Sequence, residues 1–372
     1  MRELGPTARV ARGTGPINEL PQDRRDLSDL QFISHDGEPV KLAEMLAGTY
    51  SDAFLVLHRG RVIVEEYFNG MGPRSLYNVQ SISKSITGTL AGILIAAGEL
   101  DPAETVTTYV PELAGTSWEG ATLRDVLDMR AGTRWNEFDA DPEGADARSY
   151  DQVVGWHPQS DPQGANDLYT YISQLENLRP HGRAFEYRSI LTDLLGWILE
   201  SVSGMRYAEL LSRELWAPLE TECDAEVLLD RHCHPLACGG ISTTLRDLAG
   251  FGQSYVAAYR CAGQGVIPAS WVSDCWQGDR ESRAAFTSMP ESPLSAAVER
   301  FHMYRSQWWV PRADHAVLIG LGVYGQALYI DFESDSVIVK LSSWPEAASP
   351  RLFDMHMGAF GAIVEALQDE GA

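Results

Sequence analysis

Lysine is almost absent from this chain. Lys41, Lys84 and Lys340 are the only three among 29 basic residues, which leaves 26 arginines. Basic residues are themselves outnumbered by 52 acidic ones, and the formal net charge of −23 repels phosphate backbones and anionic headgroups alike. Nucleic acid and membrane surfaces are therefore poor partners, and a small molecule is the expected one. Long apolar runs are also missing. The most apolar stretch, residues 86–100, is short and rich in Gly and Ala, unlike a bilayer span. Residues 1–27 carry Arg, Gly and Pro without the apolar run of a signal peptide, so the expectation is a cytoplasmic protein. The five cysteines are odd in number, without paired spacing, and are expected to be reduced. His232, Cys233, His234 and Cys238 lack a second CxxC or HxxxH pair to complete a tetrahedral shell, so neither a metal nor another cofactor is expected.

What is present is ample apolar material, 44% of 372 residues, enough for two domains or one with a large insertion. Residues 1–45 read as a polar, Pro-containing N-terminal arm. Residues 53–58 and 61–67 are apolar and β-branched around Arg59-Gly60, a hairpin pattern that recurs at 326–332 and 336–342 around Glu333-Ser334-Asp335. Helical apolar spacing marks 86–98, 192–202, 206–215 and 351–369. The expected organisation is an antiparallel α/β (α+β) sheet domain from 46–74 and 291–372, with a mainly helical domain, 75–290, inserted between its halves and the active site between the two. A homodimer is compatible with the sequence.

The chemistry begins at Ser81-Ile82-Ser83-Lys84. Three residues apart on a helix, Ser81 and Lys84 share a face, so an amine can reach the hydroxyl it must deprotonate. The apolar helix that follows places Ser81 in its first turn, where unpaired backbone N–H groups and the positive end of the dipole favour a developing oxyanion. Arg cannot give up its proton; Lys can, which singles out Lys84 in so arginine-rich a chain. The bland alternative is a lysine that merely solvates a helix start. Tyr187, in Phe185-Glu186-Tyr187-Arg188-Ser189, precedes a second helix. An ammonium beside its phenol would let it exchange protons with Ser81. Gly320-Leu321-Gly322-Val323-Tyr324-Gly325-Gln326 leads into a strand, and its glycines mark either a bulge or a close approach of substrate to backbone. In the second case the Ser81 and Gln326 N–H groups would form an oxyanion hole.

In this order, Ser-x-x-Lys, Tyr-x-Ser and a Gly-rich strand resemble the penicillin-recognising serine hydrolases, and more closely the 6-aminohexanoate-dimer (nylon-oligomer) hydrolases. The likeness runs from about Tyr50 to the C-terminus through Ser51-Asp52-Ala53-Phe54-Leu55-Val56-Leu57, Tyr109-Val110-Pro111-Glu112-Leu113, Val126-Leu127-Asp128-Met129 and Val339-Lys340-Leu341-Ser342-Ser343-Trp344-Pro345. It implies a β-lactamase/transpeptidase-like fold and acyl-enzyme hydrolysis of an ester or linear amide, with Ser81, Lys84 and Tyr187 as the catalytic set and Ser189 holding Lys84 through its hydroxyl. Cys238 stands where the resemblance leads one to expect an asparagine before Gly239-Gly240, Tyr324 where a histidine would precede Gly325, and Asp139 where a substrate-contacting tyrosine would sit. These positions form the expected substrate side. A β-lactamase or D-amino-acid peptidase, and a non-catalytic binding protein on the same fold, remain alternatives.

Overall fold

The computed structural model describes residues 5–137, 146–161, 164–261, 265–290 and 298–369. Its centre is a seven-stranded antiparallel sheet in the order Arg61–Tyr67, Ser51–His58, Ser336–Ser342, Gln326–Asp331, Val317–Gly322, Trp308–Val310, Met303–Arg305. The two expected hairpins are both in it, and the first and last segments of the chain meet where Val56 pairs with Ile338.

Alternation along the strands builds two cores. Leu55, Leu57, Val337 and Val339 face the large core shared with the helices of the middle of the chain. Phe54, Val56 and Ile338 face the other way, onto Phe360, Ile363 and Leu367 of the C-terminal helix Pro350–Asp369. Such burial contributes roughly 1.5–3 kcal/mol for each large aliphatic side chain, and it fixes the register, since a slip by one residue would exchange the faces.

Three boundaries differ from the sequence expectation. The N-terminal segment is not merely an arm: Thr7–Val10 pairs with Ala225–Leu228 in a second, four-stranded sheet that also holds Ile241–Thr243 and Tyr77–Asn78. The helix Leu245–Arg260, inside the segment expected to be a helical domain, packs on Ser336–Ser342, Gln326–Asp331 and Ser51–His58, so it forms a layer against the large sheet. The glycine-rich segment does not simply lead into one strand. It closes a hairpin between Val317–Gly322 and Gln326–Asp331.

A tight turn locks the two regions together. Ser306 and Gln307 both adopt left-handed φ, and the Gln307 side-chain amide donates to the Val126 and Leu127 carbonyls while its oxygen accepts from Thr192. The Gln307 carbonyl accepts from Ser85. One residue of the turn between Met303–Arg305 and Trp308–Val310 thereby fixes both helices that carry the candidate site.

Candidate active site

Ser81 caps the helix Ile82–Ala96 and follows Gln80, whose φ of +50° is a left-handed conformation that costs a non-glycine residue energy. Asn78 holds that turn. Its side-chain oxygen accepts from the Gln80 N–H (3.0 Å) and its amide donates to the Gly239 carbonyl (3.0 Å), tying the serine turn to the loop that carries Cys238.

One helical turn on, Lys84 is fully buried, and its Nζ donates to Ser81 Oγ at 2.8 Å and to the Cys238 carbonyl at 2.9 Å. Burial works against its charge, but Tyr187, Cys238 and Glu137 outweigh burial and hold the ammonium above the usual lysine range. Tyr187 stands over this pair, with Nζ 5.0 Å from its ring centre, and its ring stacks on Trp309 at 5.5 Å. Burial raises the phenol's pKa, and Lys84 offsets only part of the rise. Ser81, Lys84 and Tyr187 are therefore together, with both proton-carrying groups protonated at neutral pH.

Two residues on the Tyr187 side complete the electrostatics. Glu137 accepts from the Ser189 N–H and the Ser189 hydroxyl, each at 2.6 Å. Ser189 thus binds Glu137 and not Lys84, which corrects the role expected of it. Asp193, one helical turn further along Ser189–Ser203, is fully buried and accepts from the Cys238 N–H and the Tyr150 hydroxyl, each at 2.9 Å. Burial pushes its carboxyl up to about 6.

A cavity of about 950 Å³, counted with its open mouth, leads from Ser81 and Tyr187 between the Leu321–Ala327 hairpin and the segment from Trp344 to His356. Gly322 and Gly325 let the hairpin form that wall. A Cβ on Gly322 would lie 2.7 Å from the Val79 carbonyl, and Gly325, at φ +88°, lies against the Trp344 indole. Gln326 also lines the cavity, but its side chain is spent inside the hairpin, donating to the Ser342 carbonyl (2.7 Å) and accepting from the Ser342 N–H (3.0 Å). Its main chain is what it can offer a substrate.

The remaining expected substrate contacts are placed differently. The Cys238 thiol is buried against the Tyr150 hydroxyl at 3.4 Å, away from the cavity wall, and burial raises its pKa, so this residue serves the site through its main chain. Tyr324 has a left-handed φ of +63°, leaves its side chain exposed, and uses its N–H and carbonyl to join Ala347 and Trp344. Asp139 lies outside the described residues. Asn78, Glu137 and Asp193 escaped the sequence reading as site residues, since each acts on a segment distant in the chain or through a local turn.

A family model described as Beta-lactamase matches residues 41–355. The chain belongs to the beta-lactamase family. It is a serine hydrolase of that fold, 37% identical to the 6-aminohexanoate-dimer hydrolase of Paenarthrobacter ureafaciens over 98% of this chain and 89% of that one. A Bacillus anthracis structure provisionally named 6-aminohexanoate-dimer hydrolase superposes with a TM-score of 0.87 at 26% identity, over 99% of this chain and 92% of the other. A family VIII carboxylesterase shares the fold at a TM-score of 0.64 and 13% identity, covering 86% of this chain and 95% of its own. Among the described residues no helix is long and apolar enough to cross a membrane.

Proposed function

We propose that this hydrolase cleaves uncharged carboxylic esters of small molecules through an acyl-enzyme on Ser81. The observation that carries the reading is the Ser81 hydroxyl, 2.8 Å from Lys84 Nζ, at the end of a cavity walled by Trp309, Leu321, Val323, Trp344 and Phe353. Ser81 Oγ attacks the carbonyl carbon as its proton passes into the Lys84–Tyr187 pair after that pair has lost one proton. The tetrahedral oxyanion is held by the N–H groups of Ser81 and Gln326. It collapses by breaking the bond to the alkoxide, which leaves with the proton from Tyr187. Water then repeats the sequence, releasing the carboxylic acid and restoring the serine. The Cys238 carbonyl, fixed through its own N–H by Asp193, holds the Lys84 ammonium, Glu137 holds Ser189 at the start of the helix that follows Tyr187, and Gly325 shapes the wall. The five free cysteines suit a reducing compartment such as the cytoplasm.

An ester is favoured over an unstrained amide because an amine leaves only after its nitrogen is protonated, and a phenol with a raised pKa is a weak acid for that step. The similarity to a 6-aminohexanoate-dimer hydrolase supports linear amides as the second reading. The deciding experiment is fluorophosphonate labelling of Ser81, together with kcat/KM for p-nitrophenyl esters and the p-nitroanilides of the same acyl groups. The ester reading expects labelling and a preference of at least about a hundredfold for the ester. Anilides cleaved as fast as esters would give the site to the amide reading.

A further inference from the structure

One wall of the cavity is a run of rings that begins at Tyr187. Tyr187 stacks on Trp309 at 5.5 Å between ring centres, Trp309 meets Phe301 at 4.7 Å, Phe301 meets Phe353 at 5.9 Å, and all four residues line the cavity. The far end of the run is pinned. Arg300 and Asp354, the chain neighbours of Phe301 and Phe353, join through two hydrogen bonds of 2.9 and 3.0 Å. Trp309 is buried, whereas Phe301 and Phe353 are only half-buried. Apolar ring surface left to water is surface that an apolar ligand gains free energy by covering. The facing hairpin carries Gln326, whose N–H belongs to the oxyanion hole of the proposed reaction.

We propose that the ring wall receives the alcohol portion of the ester, so that the enzyme selects its substrate by an apolar alcohol, above all one bearing a ring, and reads the acyl group only weakly. The inference rests on the reading of Ser81 as nucleophile and Tyr187 as acid. Besides Ser81 Oγ, three groups surround the carbon of the tetrahedral intermediate. The oxyanion lies at the Ser81 and Gln326 N–H groups. The alcohol oxygen lies at the Tyr187 hydroxyl, because it takes that proton as its bond to the carbon breaks. The acyl chain takes the remaining direction. The first carbon of the alcohol therefore starts beside Tyr187, where the run of rings starts, and atoms beyond it continue along Trp309 to Phe301. A ring there also gains the edge and face contacts that aromatic pairs make. Phe301 is the specificity-determining residue at the end of that path.

Two ester series separate the arms. Acetates of methyl, ethyl, butyl, hexyl and benzyl alcohol share one acyl-enzyme, so that differences in kcat/KM arise in acylation; ethyl esters of acids from acetic to hexanoic share one alcohol. Hydrolysis of both is followed by titration of the released acid at constant pH. Along the alcohol series kcat/KM should rise about two- to fourfold per methylene, with benzyl acetate at least equal to hexyl acetate, and over the whole acyl series it should change by less than about threefold. Phe301→Ala should lower the benzyl-to-methyl ratio by at least about threefold, and Phe301→Leu, which keeps an apolar side chain without a ring, should retain more of the alkyl dependence than of the benzyl preference. Melting curves and fluorophosphonate labelling report whether each variant is folded, and the wild-type series need no variant at all. If kcat/KM climbs as steeply with the acyl chain as with the alcohol, or is flat in both, or if folded Phe301→Ala keeps the wild-type ratio, the alcohol assignment is refuted while the esterase reading stands. If no ester is cleaved and Ser81 is not labelled, both fall.

Discussion

Lys84 and Asp193 grip one residue from opposite sides: the ammonium binds the Cys238 carbonyl and the carboxylate binds the Cys238 N–H, each at 2.9 Å. This fixes the loop against the base of the site, and it leaves a buried carboxylate whose folded pKa, about 6, lies above its ordinary value of 3.8. The folded state therefore binds that proton more tightly than the unfolded state does. The contribution of Asp193 to stability is fullest below about pH 4 and is lost as pH rises through about 6. Asparagine has no such titration and can still accept from the Cys238 N–H. The melting temperature of Asp193→Asn relative to wild type should thus rise by a few degrees between about pH 4 and pH 8. Parallel melting curves across that range would contradict it.

Ser81→Ala removes one oxygen at a helix cap, and the side chain of Ser81 makes no cap hydrogen bond that the helix would lose. Turnover of p-nitrophenyl acetate should drop by at least about 10⁴-fold with an unchanged melting temperature, and mass spectrometry should find no acyl adduct. Hydrolysis near the wild-type rate would assign the nucleophile elsewhere.

The parts of this molecule legible in the sequence are those written in local pattern. The hairpin around Arg59-Gly60, the strands from 326 to 342 and the C-terminal helix follow from alternation and helical spacing. Ser81 and Lys84 are three residues apart on one helix, so their contact could be deduced. Tyr187 joined them only through resemblance to a family. Illegible were relations that depend on how distant segments cross. Nothing local tells Glu137 to cap Ser189, 52 residues away, or the Ser306-Gln307 turn to bind between helices. Thr7–Val10 read as an arm because its partner strand lies beyond residue 220. Tyr324 was expected at the substrate because it stands where the resemblance puts a histidine before Gly325, but its φ is left-handed and its side chain is exposed.

The protonation of Lys84 and Tyr187 predicts the pH profile. Both groups are held above their ordinary pKa values, so at neutral pH the pair carries one proton more than base catalysis needs. Raising the pH removes it. From about pH 6 to about pH 9, kcat/KM should climb toward tenfold per unit, and Lys84→Arg, whose guanidinium keeps its proton, should lose at least about 10³-fold at every pH. A flat profile across neutrality, after correction for spontaneous ester hydrolysis, would mean that the pair is already deprotonated at rest.

Glu137 separates charge from geometry. Its two oxygens take the N–H and hydroxyl of Ser189, the first residue of the helix Ser189–Ser203, and its negative charge helps to keep Lys84 protonated. Glutamine can keep both contacts, accepting from the N–H and donating to the hydroxyl oxygen, but it carries no charge. Alanine keeps neither. Glu137→Ala should therefore lose about 1–2 kcal/mol of stability, as loss of a helix cap does, while Glu137→Gln loses at most about 1 kcal/mol for its interaction with the helix dipole. Activity should respond in the opposite sense at moderate pH. Without the carboxylate, the Lys84–Tyr187 pair releases its proton more readily, and the rise of kcat/KM with pH should move to lower pH in Glu137→Gln. A residue that only caps a helix would change the melting temperature and leave the position of that rise where it is in the wild type. If the Gln variant melts near wild type and its pH profile superposes on the wild-type curve, Glu137 acts through the helix alone and has no electrostatic hold on Lys84.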